Sequence, residues 1–128
     1  MSFLALVLTA KIVLTGILTA VPFLVLPGAR LAAVTGVTGG GETLFRLYGI
    51  AIVALLVGYA SGFWALARGE FPWGVVAMGL VSNAGGASLL VASGAWRRAK
   101  PITFVVAAVA VSLATCAAWP DLATRPLW

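Results

Sequence analysis

The sequence has no histidine, one cysteine and three acidic residues. A chain without histidine and with a single thiol cannot supply the usual ligands of zinc or haem, and it cannot form an internal disulfide bond. It also has no histidine or nearby acid to activate a serine, and it has no Walker or dinucleotide-binding motif. We therefore expect no metal site, no cofactor and no enzymatic activity.

Charge is scarce and unevenly placed. Charged residues make up 9% of the chain, against roughly a quarter in soluble domains. The net charge is +5, but the basic residues lie at the ends of apolar segments and form no stripe with interleaved aromatics, so we expect no nucleic-acid partner. The acids Glu42, Glu70 and Asp121 all lie outside the apolar segments. The chain therefore lacks the membrane-embedded carboxylate that a proton relay or ion-coupled carrier normally needs.

Apolar residues dominate the remainder. They form 62% of the sequence, and the mean hydropathy is +1.14. Four segments reach the length of about 20 residues that crosses a bilayer, namely residues 3–26, 44–66, 73–95 and 102–119. We therefore predict an all-α, polytopic membrane protein with one membrane domain, residues 1–128, surrounded by the lipid bilayer.

The loops predict how these segments are connected. The second and third loops are short, so neighbouring helices are expected to run antiparallel in an up-down-up-down four-helix bundle. The first loop, residues 27–43, is the one with room for structure, and its part 35–43 reads as irregular. Tryptophans prefer the membrane boundary, and four of them lie near predicted segment ends: Trp64, Trp73, Trp96 and Trp119.

The distribution of basic residues predicts the orientation. Cytoplasmic loops carry the excess of Lys and Arg. The first and third loops with their flanks hold five such residues and the opposite side holds two: Arg30, Arg46, Arg97, Arg98 and Lys100 against Arg68 and Arg125. We predict both termini outside the cytoplasm, with dual topology as the alternative. The alanine-, valine- and glycine-rich composition favours a bacterial source, and hence the bacterial cytoplasmic (inner) membrane.

Lys11 stands in an otherwise apolar stretch, TAKIVLTG. It lies about three residues, or about 4.5 Å of helix rise, from the middle of its span, so its stem can bring the ammonium to the nearer boundary. Thr15 and Thr19 give this side of the helix some polarity. We favour the snorkelling interpretation. The alternative is that Lys11 contacts an anion or substrate inside the bundle.

The stretch SNAGGAS, residues 82–88, lies in the third segment. Small residues let a neighbouring helix approach closely in lipid, and this predicts packing at Ser82, Gly85 and Gly86, with Asn83 bonding across the bundle. The alternative makes Asn83 a ligand-binding group in a polar cavity. The second segment repeats the spacing of small residues at Gly58 and Gly62, which we also predict to be packing positions.

The stretch GETLFRLYG opens the second segment. Glu42 precedes Arg46 by four residues, so the two can pair on one helical face, and Tyr48 then lies in the aromatic belt. The alternative is that Arg46 faces inward and binds an anionic group. The candidate ligand-binding residues are thus Lys11, Asn83, Arg46 and Tyr48.

Residues 46–49, RLYG, at the start of the second of four segments resemble the opening of small bacterial four-helix membrane proteins of the DoxX-like and DUF4345-like group. This resemblance implies the four-helix fold. Because some members are described as accessory subunits of membrane redox systems, it also implies a subunit role.

A second resemblance is to the fluoride channels, which also have four spans in a chain of this size. It rests on GGGETLFR and on the FPWG stretch at residues 71–74, and the chain departs from that pattern at Ala77 and Met78, where the channels have asparagine.

The sequence leaves two hypotheses for the function. We favour a non-catalytic accessory or ligand-binding bundle that associates with another membrane protein or with itself. The alternative is a carrier or channel for a small anion or lipophilic solute.

Overall fold

A computed structural model describes residues 1–37 and 41–127, and helices make up 85% of the protein, with no strand in the described part. Four helices are long and apolar enough to cross a membrane: α1 (Phe3–Val25), α3 (Gly41–Ala67), α4 (Trp73–Ala92) and α5 (Lys100–Ala118). Two short α-helices, α2 (Gly28–Thr35) and α6 (Pro120–Thr124), and a 3-10 turn at Ala95–Arg97 complete the described part of the fold. The prediction of an all-helical, multi-pass membrane protein is confirmed at this level.

The first loop contains structure of its own. Helix α2 begins after Pro27, and it ends at Gly36, whose positive φ of 73° is the left-handed conformation that glycine adopts most readily. Leu31 is buried against the rest of the protein, whereas Val34 is exposed. Helix α3 begins at Gly41, so residues 41–43 are helical and the prediction that they are irregular is wrong. Residues 38–40 of the same stretch lie outside the described residues.

Helix α4 ends earlier than the hydropathy predicts. Its last residue is Ala92, and the Ser93 hydroxyl donates to the carbonyl of Leu89 at 2.7 Å. Gly94 then takes a φ of 72°, which turns the chain out of the helix. Residues 93–95 therefore belong to the connection.

Helix α1 is the most enclosed of the four long helices. In its most apolar stretch 44% of the residues are buried, against 11–17% in the other three. Its buried face runs through Leu4, Leu8, Lys11 and Thr15, which are three or four residues apart and so lie along one side of the helix. It packs on α3, α5 and α6. The two chain ends also meet there, since the Leu127 amide donates to the Met1 carbonyl at 3.1 Å.

Glycines set the closest helix approaches. A Cβ atom at Gly62 would lie 2.9 Å from Leu8 Cδ1, and one at Gly58 would lie 3.1 Å from Met78. Gly58 and Gly62, which the spacing of small residues singled out, thus lie at tight contacts. Gly79 on α4 has the tightest approach, with Leu113 Cδ1 2.5 Å from a Cβ built there. This contact joins α4 to α5, and Leu113 is fully buried.

The packing predicted at Gly85 and Gly86 is corrected by the structure. No described atom lies within 4 Å of a Cβ built at either residue, and Gly85 is exposed. The reason for Gly85 is helical geometry. It follows the buried Asn83 by two residues, about 200° around the helix, and so faces away from the interior. Ser82 and Asn83 do face other helices, but through hydrogen bonds rather than close backbone contact.

Candidate functional site

Helix α1 carries Lys11 into the interior of the protein. The residue is 6% exposed, and Thr15 and Thr19 on the same side of the helix are also buried. After Thr15 the helix widens into a π-helical turn, Gly16–Ala20. Pro22 explains this turn, because it has no N–H for the carbonyl four residues before it and an α-helix would leave that carbonyl without its partner. Lys11 therefore starts a buried polar face that ends at a widened turn.

The Lys11 ammonium meets Asn83 of α4. Nζ donates to Asn83 Oδ1 at 2.6 Å, and Asn83 is completely buried. The snorkelling interpretation differs from this structure, in which the side chain points inward rather than toward the boundary. The physical reason is that Asn83 offers an oxygen acceptor inside the protein, which hydrocarbon alone cannot offer to an ammonium.

Asn83 also bonds to one further helix, α3, and to the backbone of its own helix, α4. Its Nδ2 donates to the Tyr59 hydroxyl of α3 at 2.7 Å and to the Gly79 carbonyl of α4 at 2.7 Å. Because an ammonium is only a donor, Asn83 must turn its Oδ1 atom toward Lys11. Its Nδ2 atom therefore points toward Tyr59. One residue therefore links α1, α3 and α4 with a single orientation of its side chain.

Ser82 closes the network. Its hydroxyl donates to the Gly79 carbonyl at 3.3 Å, and the Tyr59 and Ser82 oxygens are 3.1 Å apart. With the Ser82 proton directed at the carbonyl, the Tyr59 proton is directed at Ser82. Lys11, Tyr59, Ser82, Asn83 and the Gly79 carbonyl form what we call the polar cluster.

The polar cluster is positive and has no acidic member. The three acids of the sequence lie at the start of α3, in the loop after it and in α6: Glu42, Glu70 and Asp121. Lys11 Nζ instead lies 5.8 Å from the centre of the Tyr59 ring, a distance at which the ring face attracts a cation. An ammonium has three N–H donors, and Asn83 takes one of them. The cluster can therefore offer hydrogen bonds to an acceptor brought in from outside the chain.

Arg46 lies elsewhere, at the junction of α1 and α3. It forms the predicted ion pair with Glu42, and its Nη1 donates to the carbonyl of Phe23 at 3.0 Å. That carbonyl would bond to the N–H of residue 27 in a continued helix, but Pro27 has none. Arg46 takes this place and completes the end of α1. The alternative in which Arg46 reaches inward for an anion is not the arrangement in the structure.

Tyr48 belongs to this same junction. It is half exposed, and its ring centre lies 5.0 Å from that of Phe23. Phe23 follows Lys11 by 12 residues, about 18 Å along an α-helix. The four candidate ligand-binding residues thus separate into two places, Lys11 with Asn83 in the interior and Arg46 with Tyr48 at the helix junction.

Sequence reasoning missed Tyr59, which the structure places at the centre of the polar cluster. The available signal was its position, because Tyr59 lies well inside its segment whereas membrane tyrosines prefer the boundary. It also missed Gly49, where a Cβ would lie 2.9 Å from Leu24 Cδ2. Gly49 is the last residue of the RLYG stretch and permits α1 and α3 to meet closely.

No group of three or more His, Cys, Asp or Glu side chains that could hold a metal ion occurs within residues 1–37 and 41–127. Comparison of the chain with protein-family models, curated proteins and solved structures finds no match. The resemblance of residues 46–49 to the DoxX-like group therefore stays a prediction. Function has to be argued from the geometry of the polar cluster.

Proposed function

We propose that the four long helices form an up-down-up-down bundle in the inner membrane of a bacterium, with both termini outside the cytoplasm. Two contacts support this arrangement. The chain ends meet through Leu127 and Met1, and the Arg98 guanidinium lies 2.7 Å from a Cβ built at Gly36, which brings the first and third loops to one end. The boundary tryptophans support the spans, since Trp64 and Trp119 are more than half exposed near helix ends.

Within this bundle, the polar cluster serves to bind a small ligand without catalysis. The observation that carries this proposal is the ammonium of Lys11. It is buried, Asn83 is its single side-chain acceptor among the residues that the structure describes, and no span of the sequence contains a carboxylate. Burial of a charge without a counter-charge is costly, and such residues in membranes usually mark a site. The ligand that fits supplies a hydrogen-bond acceptor, either a small anion or the polar head of a lipophilic molecule.

The bundle also acts as an accessory subunit of a membrane complex or as a self-associating protein. The resemblance of residues 46–49 to the DoxX-like group suggests this role. The surface of α4 at Gly85 and Gly86 is consistent with it, because it leaves room for a helix of another chain. Purification in mild detergent tests the subunit role. Stoichiometric recovery with a second membrane protein, or as an oligomer of this chain, is expected. Recovery as an isolated monomer at every protein concentration loaded would exclude the subunit role and self-association.

Ligand binding is tested by thermal unfolding of the purified protein in detergent. The probes are sodium formate and sodium chloride. Sodium gluconate, whose anion is bulky, keeps the ionic strength constant and serves as the control salt. Lys11→Met removes the ammonium, Lys11→Arg keeps the charge, and Arg68→Met removes one positive charge from an exposed loop residue. We expect formate or chloride to raise the unfolding midpoint of the wild type, of Lys11→Arg and of Arg68→Met, and to leave that of Lys11→Met unchanged.

Two results contradict this proposal. One is a midpoint that none of the anions moves in the wild type. The other is an equal anion effect in wild type and Lys11→Met, which would place the effect away from the polar cluster. Lys11→Met should still elute as a single species, because Asn83 keeps its bonds to Tyr59 and Gly79. The result then reports on the site rather than on folding.

The second candidate function is a carrier or channel for the same class of solute, including the fluoride-channel hypothesis. The observation that favours it is the buried polar face of α1, which continues from Lys11 through Thr15 and Thr19 to the π-helical turn. Purified protein in liposomes loaded with fluoride or chloride tests this candidate with ion-selective electrodes. Release that depends on the protein and is lost in Lys11→Met supports transport. Binding without release leaves the binding function alone.

A further inference from the structure

One end of the molecule carries most of the positive charge. The first and third loops with their flanks hold five basic residues and one acid, Glu42, a net charge of five minus one, or +4. Glu42 is already paired with Arg46. The remaining four basic residues form what we call the basic rim: Arg30, Arg97, Arg98 and Lys100.

The opposite end is balanced. Arg68 pairs with Glu70 at 3.1 Å in the second loop, and Asp121 and Arg125 add one charge of each sign near the end of the chain. The two ends therefore differ in free side-chain charge, and not merely in the number of basic residues. An anionic partner is attracted to the basic rim far more strongly than to the opposite end.

The fold brings the two parts of the basic rim together. The Arg98 guanidinium lies beside Gly36, the residue that ends α2. Arg30 lies on α2 six residues before Gly36, about 9 Å along the helix. Arg97 lies next in sequence to Arg98, with its guanidinium carbon 5.8 Å from the centre of the Trp96 ring. Residues distant in sequence thus share one surface.

Apolar side chains are exposed between these charges. Val34 follows Arg30 by four residues on the same side of α2 and is 67% exposed, whereas Leu31 is buried. Trp96 is 41% exposed. Arginines beside exposed apolar side chains suit the membrane interface, where anionic headgroups and hydrocarbon meet. The partner of this surface needs both an anionic group and hydrocarbon.

We propose that the basic rim binds an anionic phospholipid, with its phosphate on Arg97, Lys100 and Arg30 and its acyl chains against Val34 and Trp96. Free phosphate shares the headgroup chemistry but has nothing to place on the exposed apolar side chains. Bases near a membrane surface each strengthen lipid binding by about fivefold, and their attraction is screened by salt. This proposal does not depend on the ligand of the polar cluster.

Native mass spectrometry of the full chain released from detergent measures the binding. Phosphatidylglycerol and phosphatidylcholine with identical acyl chains are titrated separately, and dissociation constants are read from the lipid-bound peaks. The test variant is Arg97→Gln/Lys100→Gln, which leaves Arg98 at its contact with α2. The matched control is Arg68→Gln/Arg125→Gln, which removes the same charge from the opposite end.

Wild type and control are expected to bind phosphatidylglycerol tightly, and the test variant about 25-fold more weakly, from about fivefold for each base. Phosphatidylcholine is expected to bind weakly to all three proteins. Equal weakening in test and control variants overturns the assignment to the basic rim. Equal affinity for the two lipids in the wild type overturns the anionic headgroup. Binding of inorganic phosphate as tight as that of phosphatidylglycerol would show that the acyl chains contribute nothing, and it overturns the lipid.

Discussion

Adding one methyl group at Gly79 should destabilise the protein more than the same change elsewhere on α4. A Cβ at Gly79 would lie 2.5 Å from Leu113 Cδ1 and 3.1 Å from both Cε1 and the hydroxyl oxygen of Tyr59. Non-bonded carbons rest at about 3.5–4.0 Å, so the overlap with Leu113 exceeds about 1 Å. Leu113 and Tyr59 are 0% and 1% exposed, so neither can relieve the overlap by turning outward without leaving the core.

The expected cost of Gly79→Ala is about 1–3 kcal/mol, the usual range for a methyl group forced into a packed core. The hydrogen bonds that the Gly79 carbonyl accepts from Asn83 and Ser82 add to this cost if α4 shifts to relieve the clash. Alanine is favoured over glycine within a helix by about 0.5–1 kcal/mol, which offsets part of the loss. A net destabilisation of about 0–2.5 kcal/mol remains, and the difference from a control that gains the same helix propensity is about 1–3 kcal/mol.

Gly86→Ala is the matched control, because it makes the same change on the same helix where a Cβ meets no described atom within 4 Å. It should be neutral or stabilising by up to about 1 kcal/mol. The free energy of unfolding is measured by SDS titration in mixed micelles, followed by circular dichroism. Equal stability of the two variants, or a more stable Gly79→Ala, would refute the packing described for α4 and α5.

Three further outcomes are expected. Asn83→Ala should lower the free energy of unfolding by about 1–3 kcal/mol in the same SDS titration, because it leaves the buried Lys11 ammonium without its acceptor and removes the bond to the Tyr59 hydroxyl. No loss would contradict the network. Arg46→Lys should lose either the bond to the carbonyl of Phe23 or the ion pair with Glu42, because one ammonium replaces two guanidinium nitrogens. The expected loss in the free energy of unfolding is about 1 kcal/mol. Unchanged stability would show that one of the two bonds suffices. Single cysteines at Ala99 and at Gly69, in a background without Cys116, should label differently in intact cells. The cysteine at Ala99 should react only with a membrane-permeant maleimide, whereas the one at Gly69 should also react with an impermeant maleimide. The reverse pattern would invert the orientation.

The four long helices were predictable because their signal is local. A run of about 20 apolar residues needs no knowledge of the rest of the chain to be read as a span. Helix α2 was less predictable, because its eight residues are too few for a span. The burial of its residue Leu31 depends on how the helix packs against the rest of the protein, and the local sequence does not report that packing. The end of α4 at Ala92 was missed for a similar reason, because the left-handed turn at Gly94 is a backbone feature that hydropathy does not report.

The polar cluster was predictable only in part. Lys11 and Asn83 stood out singly, because each is a polar residue in an apolar segment. Their pairing, across 72 residues of sequence, requires the position and rotation of two helices. A carboxylate would have been the obvious partner for the lysine, and none is present in the spans. Tyr59 carried no signal besides its depth.

The hydrogen bonds of Asn83 limit which amino acids can replace it in related sequences. Its oxygen accepts from Lys11 and its nitrogen donates to Tyr59 and to the Gly79 carbonyl, all within a completely buried space. Aspartate offers acceptors alone, serine is too short to reach both neighbours, and glutamine is longer by one methylene. No single replacement keeps both roles at that length. Natural variation should therefore be far more restricted at position 83 than at Val81, an exposed residue of the same helix.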